Sequence, residues 1–264
     1  MPSDPTASTA HPTYRHIYLE PHFDDVALSC GATLAGQASR GEPALVVTLF
    51  AGNPGRAPSE TDFVREHHDK WRSGADPIAE RAAEQRRALE LLGADWLPLP
   101  FLDAIYRDGQ YLSDQELFGP VKPGDRALVG RIAAALAAVA ARQPAARWYV
   151  PLALGNHVDH QLAIAGSAAL PERLAYEDYP YAQRHGGMEA RAAELGARSF
   201  ETTPIDDRLE LKIAAIACYR SQLPVLFGSS EAMPELVRAF ARARGGERLW
   251  RLPEEAGGAM VDFR

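Results

Sequence analysis

Ala44-Leu45-Val46-Val47-Thr48-Leu49-Phe50 is a near-continuous apolar run of strand length. Such a run, with no polar alternation, is how a strand reads when a parallel sheet buries both of its faces. Upstream, Ala27 to Arg40 is rich in Ala and Leu and stops at Gly41, the pattern of a helix with its terminal glycine. Before it, His16 to Glu20 is short and carries β-formers, which predicts a first strand. Downstream, Asp76 and Pro77 stand as N-cap and first helical residue of a helix reaching about Leu92, ahead of Gly93. Trp96 to Leu99 then predicts a third strand, Asp125 caps an Ala-rich helix ending near Pro144, and Arg147 to Pro151 is a fourth strand. A helix over His160 to Leu170, a fifth strand over Arg173 to Tyr176, and helices over Asp206 to Tyr219 and from about Ser230 to Arg244 complete the pattern. The alternation implies an α/β fold: a Rossmann-like, mostly parallel sheet with helices on both faces. Ligands of such sheets lie beyond the carboxyl ends of the strands, so chemistry is sought just after each one.

Two connections are long for plain joints, Ala51 to Ala75 and Pro100 to Gly124. Both follow strands on the functional edge, and they read either as lids and binding loops or as short helices decorating the rim. Residues 16–264 are expected to form one domain; 264 residues, 46% of them hydrophobic, suffice for one sizeable core. Residues 1–15, rich in Ser, Thr, Pro and Ala without an apolar run, are expected to be a disordered tail. No stretch reaches the ~18 uninterrupted apolar residues that a membrane span needs. Cys30 and Cys218 form no paired motif, so a reducing cytoplasm is the expected setting. A net charge of −7 argues against a nucleic-acid partner. The Arg-containing run from Arg238 to Arg251 reads as the solvated face of a C-terminal helix and strand.

Two motifs carry the chemistry. Pro21-His22-Phe23-Asp24-Asp25 follows the first strand, and Gly155-Asn156-His157-Val158-Asp159-His160 follows the fourth. Each pairs histidine with aspartate and leads into a helix, and the sheet edge brings them together. Catalytic zinc takes three nitrogen or oxygen ligands and keeps a position for water, and His22, Asp25 and His160 could supply the three. Asp24 is then a leftover carboxylate placed to act as general base. Taken alone, Pro-His-Phe-Asp-Asp could be a turn and a helix cap; two such clusters at strand ends favour a metal site.

These segments resemble the PIG-L/LmbE-like N-acetylglucosaminyl deacetylases, whose hallmarks are P-H-x-D-D near the start and H-x-D-H in the second half. Softer matches are Phe50-Ala51-Gly52-x-Pro54, His68-x-x-Trp71, Arg81-x-x-Glu84, Asp103-Ala104-Ile105-Tyr106-Arg107 and Tyr176-Glu177-Asp178-x-Pro180-Tyr181. The resemblance implies a zinc-dependent hydrolase that removes an N-acetyl group from a small-molecule glycoside or amino-sugar conjugate, with one Zn2+ per chain and homo-oligomerisation left open. It makes His22, Asp25 and His160 the metal ligands and Asp24 the base. His157 becomes the oxyanion stabiliser or acid, with Asp159 orienting it and favouring its charged form. Arg81 and Asp103 match substrate-contacting positions, although Arg81 could instead pair with Glu84 on a helix surface. Glu177 and Asp178 either line the pocket or cap a turn before Pro180. The chain departs from the family at Phe23, where many members have Pro, and at Val26, where many have Glu. Some members carry a tyrosine just before the second motif, where this chain has Gly155 and Asn156. Cys30 and Cys218 read as packing residues, His67 and His68 as solvated, and Trp71 as a stacking platform or a loop anchor.

Three rival readings are weighed against this. A dinucleotide-binding oxidoreductase needs a Gly-rich turn after strand one, where this chain has two carboxylates. A two-metal hydrolase such as a phosphoesterase would need more carboxylate ligands. A non-catalytic carbohydrate-binding relative would not need every catalytic position filled, as here.

Overall fold

The computed structural model describes residues 12–55, 61–71, 74–185, 187–197 and 199–253. Strands β1 (His16–Glu20), β2 (Ala44–Thr48), β3 (Asp95–Pro98), β4 (Arg147–Pro151), β5 (Arg173–Tyr176), β6 (Phe200–Thr203) and β7 (Glu247–Arg251) form one sheet in the order β3-β2-β1-β4-β5-β7-β6. The first five are parallel, while β7 runs antiparallel to both β5 and β6. The helices are α1 (Asp25–Ser39), α2 (Asp62–Trp71), α3 (Pro77–Leu92), α4 (Asp114–Leu117), α5 (Arg126–Arg142), α6 (Val158–Gly166), α7 (Tyr181–His185), α8 (Met188–Glu194), α9 (Leu209–Ile216), α10 (Leu223–Phe227) and α11 (Met233–Arg244).

Strand periodicity sorts the core into two layers. Ile17, Leu45, Val47, Trp148 and Val150 face Ile132 and Leu136 of α5 and Leu162 of α6. Tyr18, Val46, Tyr149 and Leu174 face Val26 and Leu34 of α1, Leu89 of α3 and Ala215 of α9. Helices therefore cover both faces of a mostly parallel sheet, as the sequence pattern predicts. β1 lies between β2 and β4, with its crossovers leaving in opposite directions, so the strand order reverses at the β1/β4 seam. Such a switch point opens a crevice at the carboxyl ends of the two strands. Both histidine motifs leave the sheet there.

The structure departs from the sequence reading at several points. Phe200–Thr203 is an edge strand beyond β7 that the pattern does not reveal; it is mostly exposed, and three of its four residues are polar. Asp125 does not cap α5 with its side chain, because its carboxylate is taken by Arg107. α6 begins at Val158, not His160, with His157 as its cap. The connection 51–75 carries α2, and 100–124 carries a 3-10 turn at Ala104–Tyr106 and α4, so rim helices prevail over plain loops; residues 56–60 and 72–73 lie outside the described residues. Gly52 draws the two connections together: its amide donates to Phe101 O at 2.9 Å, and a Cβ there would stand 2.8 Å from the Phe101 and Pro100 carbonyl oxygens. Of the expected tail, residues 1–11 lie outside the described residues. Pro12 to Arg15 is tied down through Gln143 to Pro12 O and Tyr14 N, through Tyr14 Oη to Asp95, and through Arg15 N to Pro43 O. Among the described residues no helix is long and apolar enough to cross a membrane.

Candidate active site

The exit of β1 is pinned from below. Glu20 is fully buried and accepts from Thr48 Oγ1 at 2.6 Å, Gln85 Nε2 at 2.5 Å and Val26 N at 3.1 Å. Burial pushes its carboxyl well above the usual range. The chain then turns through Asp24, a non-glycine residue at φ 98°, ψ −28°, a left-handed conformation that Asp tolerates and that costs some strain. This turn aims the adjacent carboxylates differently. Asp25 Oδ2 accepts from His22 N at 2.8 Å and lies 3.8 Å from His22 Nδ1 and 3.5 Å from His160 Nε2. Asp24 faces Arg81, whose Nη2 is 4.0 Å away. Arg81 is buried, packs over Trp71 and Phe23 and donates to Phe23 O at 3.4 Å. Glu84 turns away to Ser221, so the alternative of a surface Arg81–Glu84 pair does not hold.

The exit of β4 runs through Ala153, Gly155 and Asn156, all at positive φ, and delivers His157 to the N-terminus of α6. His157 Nδ1 accepts from Asp159 N at 3.2 Å, which places the proton of a neutral ring on Nε2. His160, one turn on, gives Nδ1 to Asp178 Oδ1 at 2.8 Å, and Asp178 Oδ2 accepts from Leu154 N at 3.1 Å.

Three readings of the sequence need correction here. The Asp159 carboxylate does not orient His157: it accepts from His22 Nε2 at 2.9 Å and Ala104 N at 3.0 Å and meets Arg107 Nη1 at 2.6 Å, and only its backbone N–H touches His157. The cause is helical geometry, which turns the side chain of α6's second residue toward β1 and the 100–124 connection. Nor is His157 set up to be charged. Burial, then the neighbouring His22, hold it well below the ordinary histidine value. Glu177 does not line the pocket. Successive residues leaving β5 point to opposite sides, so Glu177 meets Arg244 Nε at 2.9 Å and Trp250 Nε1 at 3.0 Å while Asp178 meets His160. Asp103 does line the pocket; it caps the 3-10 turn through Ile105 N and places Oδ2 3.5 Å from His22 Nε2.

Above the cluster is a cleft of about 300 Å³ whose walls include Trp71, Leu117, Phe118, Tyr181 and Arg184. Tyr181 is a site residue that the sequence marks only at the end of a softer match, with no role. Its ring stands edge-on to His160 with centroids 5.7 Å apart, and it fills the space beside Gly155, where a Cβ would be 2.6 Å from Tyr181 Cδ1. Glu20 lies outside the motifs, and Arg107 closes one of the softer matches without being given a role. Their signals are slight: a glutamate closing an apolar strand, and an arginine at the end of a family-like pentapeptide.

His22, Asp25 and His160 each offer a ligand atom, all within 4.8 Å of one another. His160 Nε2 is buried with no hydrogen-bond partner and points at Asp25. The far nitrogen of each imidazole is engaged by a carboxylate, Asp159 for His22 and Asp178 for His160. Such outer partners are what metal-bound histidines have, and two ligands of a tetrahedral zinc stand roughly 3.3 Å apart. The residues fit a cation. His22, His157 and Asp159 form a second close trio, but Arg107 already neutralises Asp159 there.

Comparison with known proteins agrees with this geometry. The family described as PIG-L, GlcNAc-PI de-N-acetylase, matches residues 17–170, from β1 through the second motif. The chain belongs to the PIG-L family. This PIG-L member is 31% identical over 246 residues to a 2'-N-acetylparomamine deacetylase of Streptomyces fradiae, covering 89% of this chain and 81% of that one. It is 29% identical over 233 residues to the 2'-N-acetylparomamine deacetylase of Niallia circulans, covering 80% of this chain and 82% of that one. Among solved structures it resembles a deacetylase of teicoplanin biosynthesis (TM-score 0.76, 26% identity, 92% of this chain and 99% of that one). It also resembles the A40926 pseudoaglycone deacetylase Dbv21 (TM-score 0.72, 26% identity, 93% and 100%). This PIG-L member is accordingly a deacetylase, a hydrolase by reaction type.

Proposed function

We propose that the protein is a zinc-dependent N-deacetylase that cleaves the acetamide of an N-acetylated amino sugar within a small-molecule conjugate of the antibiotic type. One observation carries this reading: two imidazoles with engaged far nitrogens aim their remaining nitrogens at one carboxylate oxygen, beneath an open cleft. His22, Asp25 and His160 would hold one ion per chain. Bound there, zinc supplies Lewis acidity for an amide carbonyl and lowers the pKa of a water to about 7.

The remaining steps belong to the chain. Asp24 takes the proton of the attacking water while Arg81 fixes it from behind; in the metal-free protein burial and the neighbouring Asp25 raise its carboxyl to about 7. His157, neutral and with its proton on Nε2, donates to the oxygen that gains charge during attack. The proton held by Asp24 then passes to the departing amine. Trp71 and Phe118 offer apolar surface for a sugar ring, and Asp103 offers a hydrogen-bond acceptor for hydroxyl or ammonium groups. The amino-sugar assignment draws on relatives that act on 2'-N-acetylparomamine.

The test is acetate release from N-acetylated amino sugars, including 2'-N-acetylparomamine and N-acetylglucosaminyl conjugates, before and after chelation and after zinc restoration. Acetate release that stops with chelator and returns with zinc supports the reading. An enzyme equally active after complete metal removal ends it.

A further inference from the structure

Arg107 lies in the connection between β3 and α5, remote in sequence from both histidine motifs. Its guanidinium is buried and shared three ways: Nε meets Asp125 Oδ2 at 2.7 Å, Nη1 donates to Leu102 O at 2.8 Å, and Nη1 meets Asp159 Oδ1 at 2.6 Å. Phe50 and Tyr111 flank it, with its central carbon 5.3 and 5.4 Å from their ring centroids. The other Asp159 oxygen accepts from Ala104 N and His22 Nε2. One carboxylate thus spends one oxygen on the guanidinium and the other on the imidazole.

We infer that Arg107 is a positioning residue for the metal centre, holding the Asp159 carboxylate so that it fixes the His22 ring with Nε2–H outward and Nδ1 facing Asp25. The inference rests on the proposed metal site and goes beyond it by assigning a role to a residue that pairs with none of the three proposed metal ligands. An imidazole on a short turn rotates freely unless its far nitrogen is held, and a ring rotated away loses its metal. Asp159 is wholly buried, and without the guanidinium it would be an uncompensated charge that must reorient or neutralise. Arg suits the task better than Lys because its planar fork reaches Asp125 and Asp159 together, whereas one ammonium satisfies both only with altered geometry. Asp125 stands at the foot of α5, so the arginine also ties the 100–124 connection to the site.

The experiment is a thermodynamic cycle on zinc affinity, measured by competition with a chelating dye for the wild type, Arg107→Met, Asp159→Ala and the double variant. Thermal unfolding of each metal-free protein verifies the fold. Arg107→Met is expected to weaken zinc binding by about 10–100-fold. In the Asp159→Ala background the same substitution should change affinity within about twofold, since the carboxylate it acts through is gone. An equal loss in both backgrounds, or undiminished affinity of a folded Arg107→Met protein, overturns the inference. Should Arg107→Met fail to fold, Arg107→Lys replaces it in both backgrounds, with a smaller loss expected only where Asp159 is present and the same refuting outcomes. A wild type that binds no zinc refutes the metal reading and brings this inference down with it. A zinc-binding wild type indifferent to residue 107 refutes this inference alone.

Discussion

Replacing Asp24 by Asn separates two consequences of one buried carboxylate. Asn tolerates the left-handed backbone at φ 98°, and it keeps the shape of the side chain, so the β1–α1 turn should survive. The ligand atoms of His22, Asp25 and His160 are untouched. As base, Asp24 should contribute about 10²–10⁴-fold to kcat/KM, and the variant should lose that factor while retaining zinc. Stability should move the other way. Burial, with Asp25 adding to it, raises the Asp24 carboxyl from 3.8 to about 7 in the metal-free protein. The folded state therefore binds this proton more tightly than the unfolded chain, and stability falls as pH rises from about 4 through about 7. Fully ionised, the group costs the fold on the order of 4 kcal/mol. Asn removes that cost. For a chain of this size the gain corresponds to roughly 10 °C in Tm at pH 8, shrinking steadily toward pH 5. The assays are acetate release with metal content, and thermal unfolding of metal-free protein across that pH range. Activity within about tenfold of wild type would refute the base assignment. A Tm difference independent of pH would refute the electrostatic argument.

Three further outcomes are expected. His160→Ala should leave the protein unable to retain zinc through gel filtration, as measured by atomic absorption; stoichiometric zinc in the variant contradicts the ligand set. Gly155→Ala places a Cβ 2.6 Å from Tyr181 Cδ1 at φ 80°, and left-handed strain with overpacking should cost about 2–5 kcal/mol in urea unfolding; an unchanged midpoint would show that Tyr181 yields freely. Zinc affinity should fall as pH drops from 9 to 7, by roughly tenfold per unit, because the free His22 holds its proton up to about 9 against burial, through Asp103, Asp159 and Asp25; a pH-independent affinity over that range would contradict it.

The sheet was legible because its central strands obey simple rules. Ala44–Thr48 is buried throughout and Arg147–Pro151 from Trp148 on, both mostly apolar, and Asp76-Pro77 and Gly93 mark the ends of α3 as capping chemistry requires. Phe200–Thr203 carries no such signal because an exposed edge strand need carry no pattern; it exists through its pairing with β7. The convergence of His22, Asp25 and His160 could be argued from topology, since both motifs leave strands beside the switch point. What topology leaves open is the partner of each carboxylate. Asp159 and Asp178 are local choices between neighbours brought in from elsewhere, His22 and Arg107 for one and His160 for the other. Likewise, nothing local marks Tyr181 as the filler of the space beside Gly155; only the meeting of the β4 and β5 exits does so.

The electrostatics of the cluster supply a reason for its design that no single contact gives. Asp24, Asp25, Asp103, Asp159 and Asp178 crowd around His22 and His160, and among the described residues the permanent cations within ion-pair distance of these carboxylates are Arg81 and Arg107. So many carboxylates in a low-dielectric crevice need countercharge. In the metal-free protein, protons provide it: His22 holds one up to about 9 and Asp24 up to about 7. His157 is the exception, refused charge by burial and by His22 beside it. Protonation thus gathers at His22, at the proposed base Asp24 and, in the same direction, at His160 beside Asp25 and Asp178, leaving His157 neutral. A dication between His22, Asp25 and His160 would take over that countercharge, expelling the His22 proton and drawing the Asp24 carboxyl down toward its ionised, proton-accepting form. On this argument the acidity of the crevice is what couples occupancy of the metal site to readiness of the base.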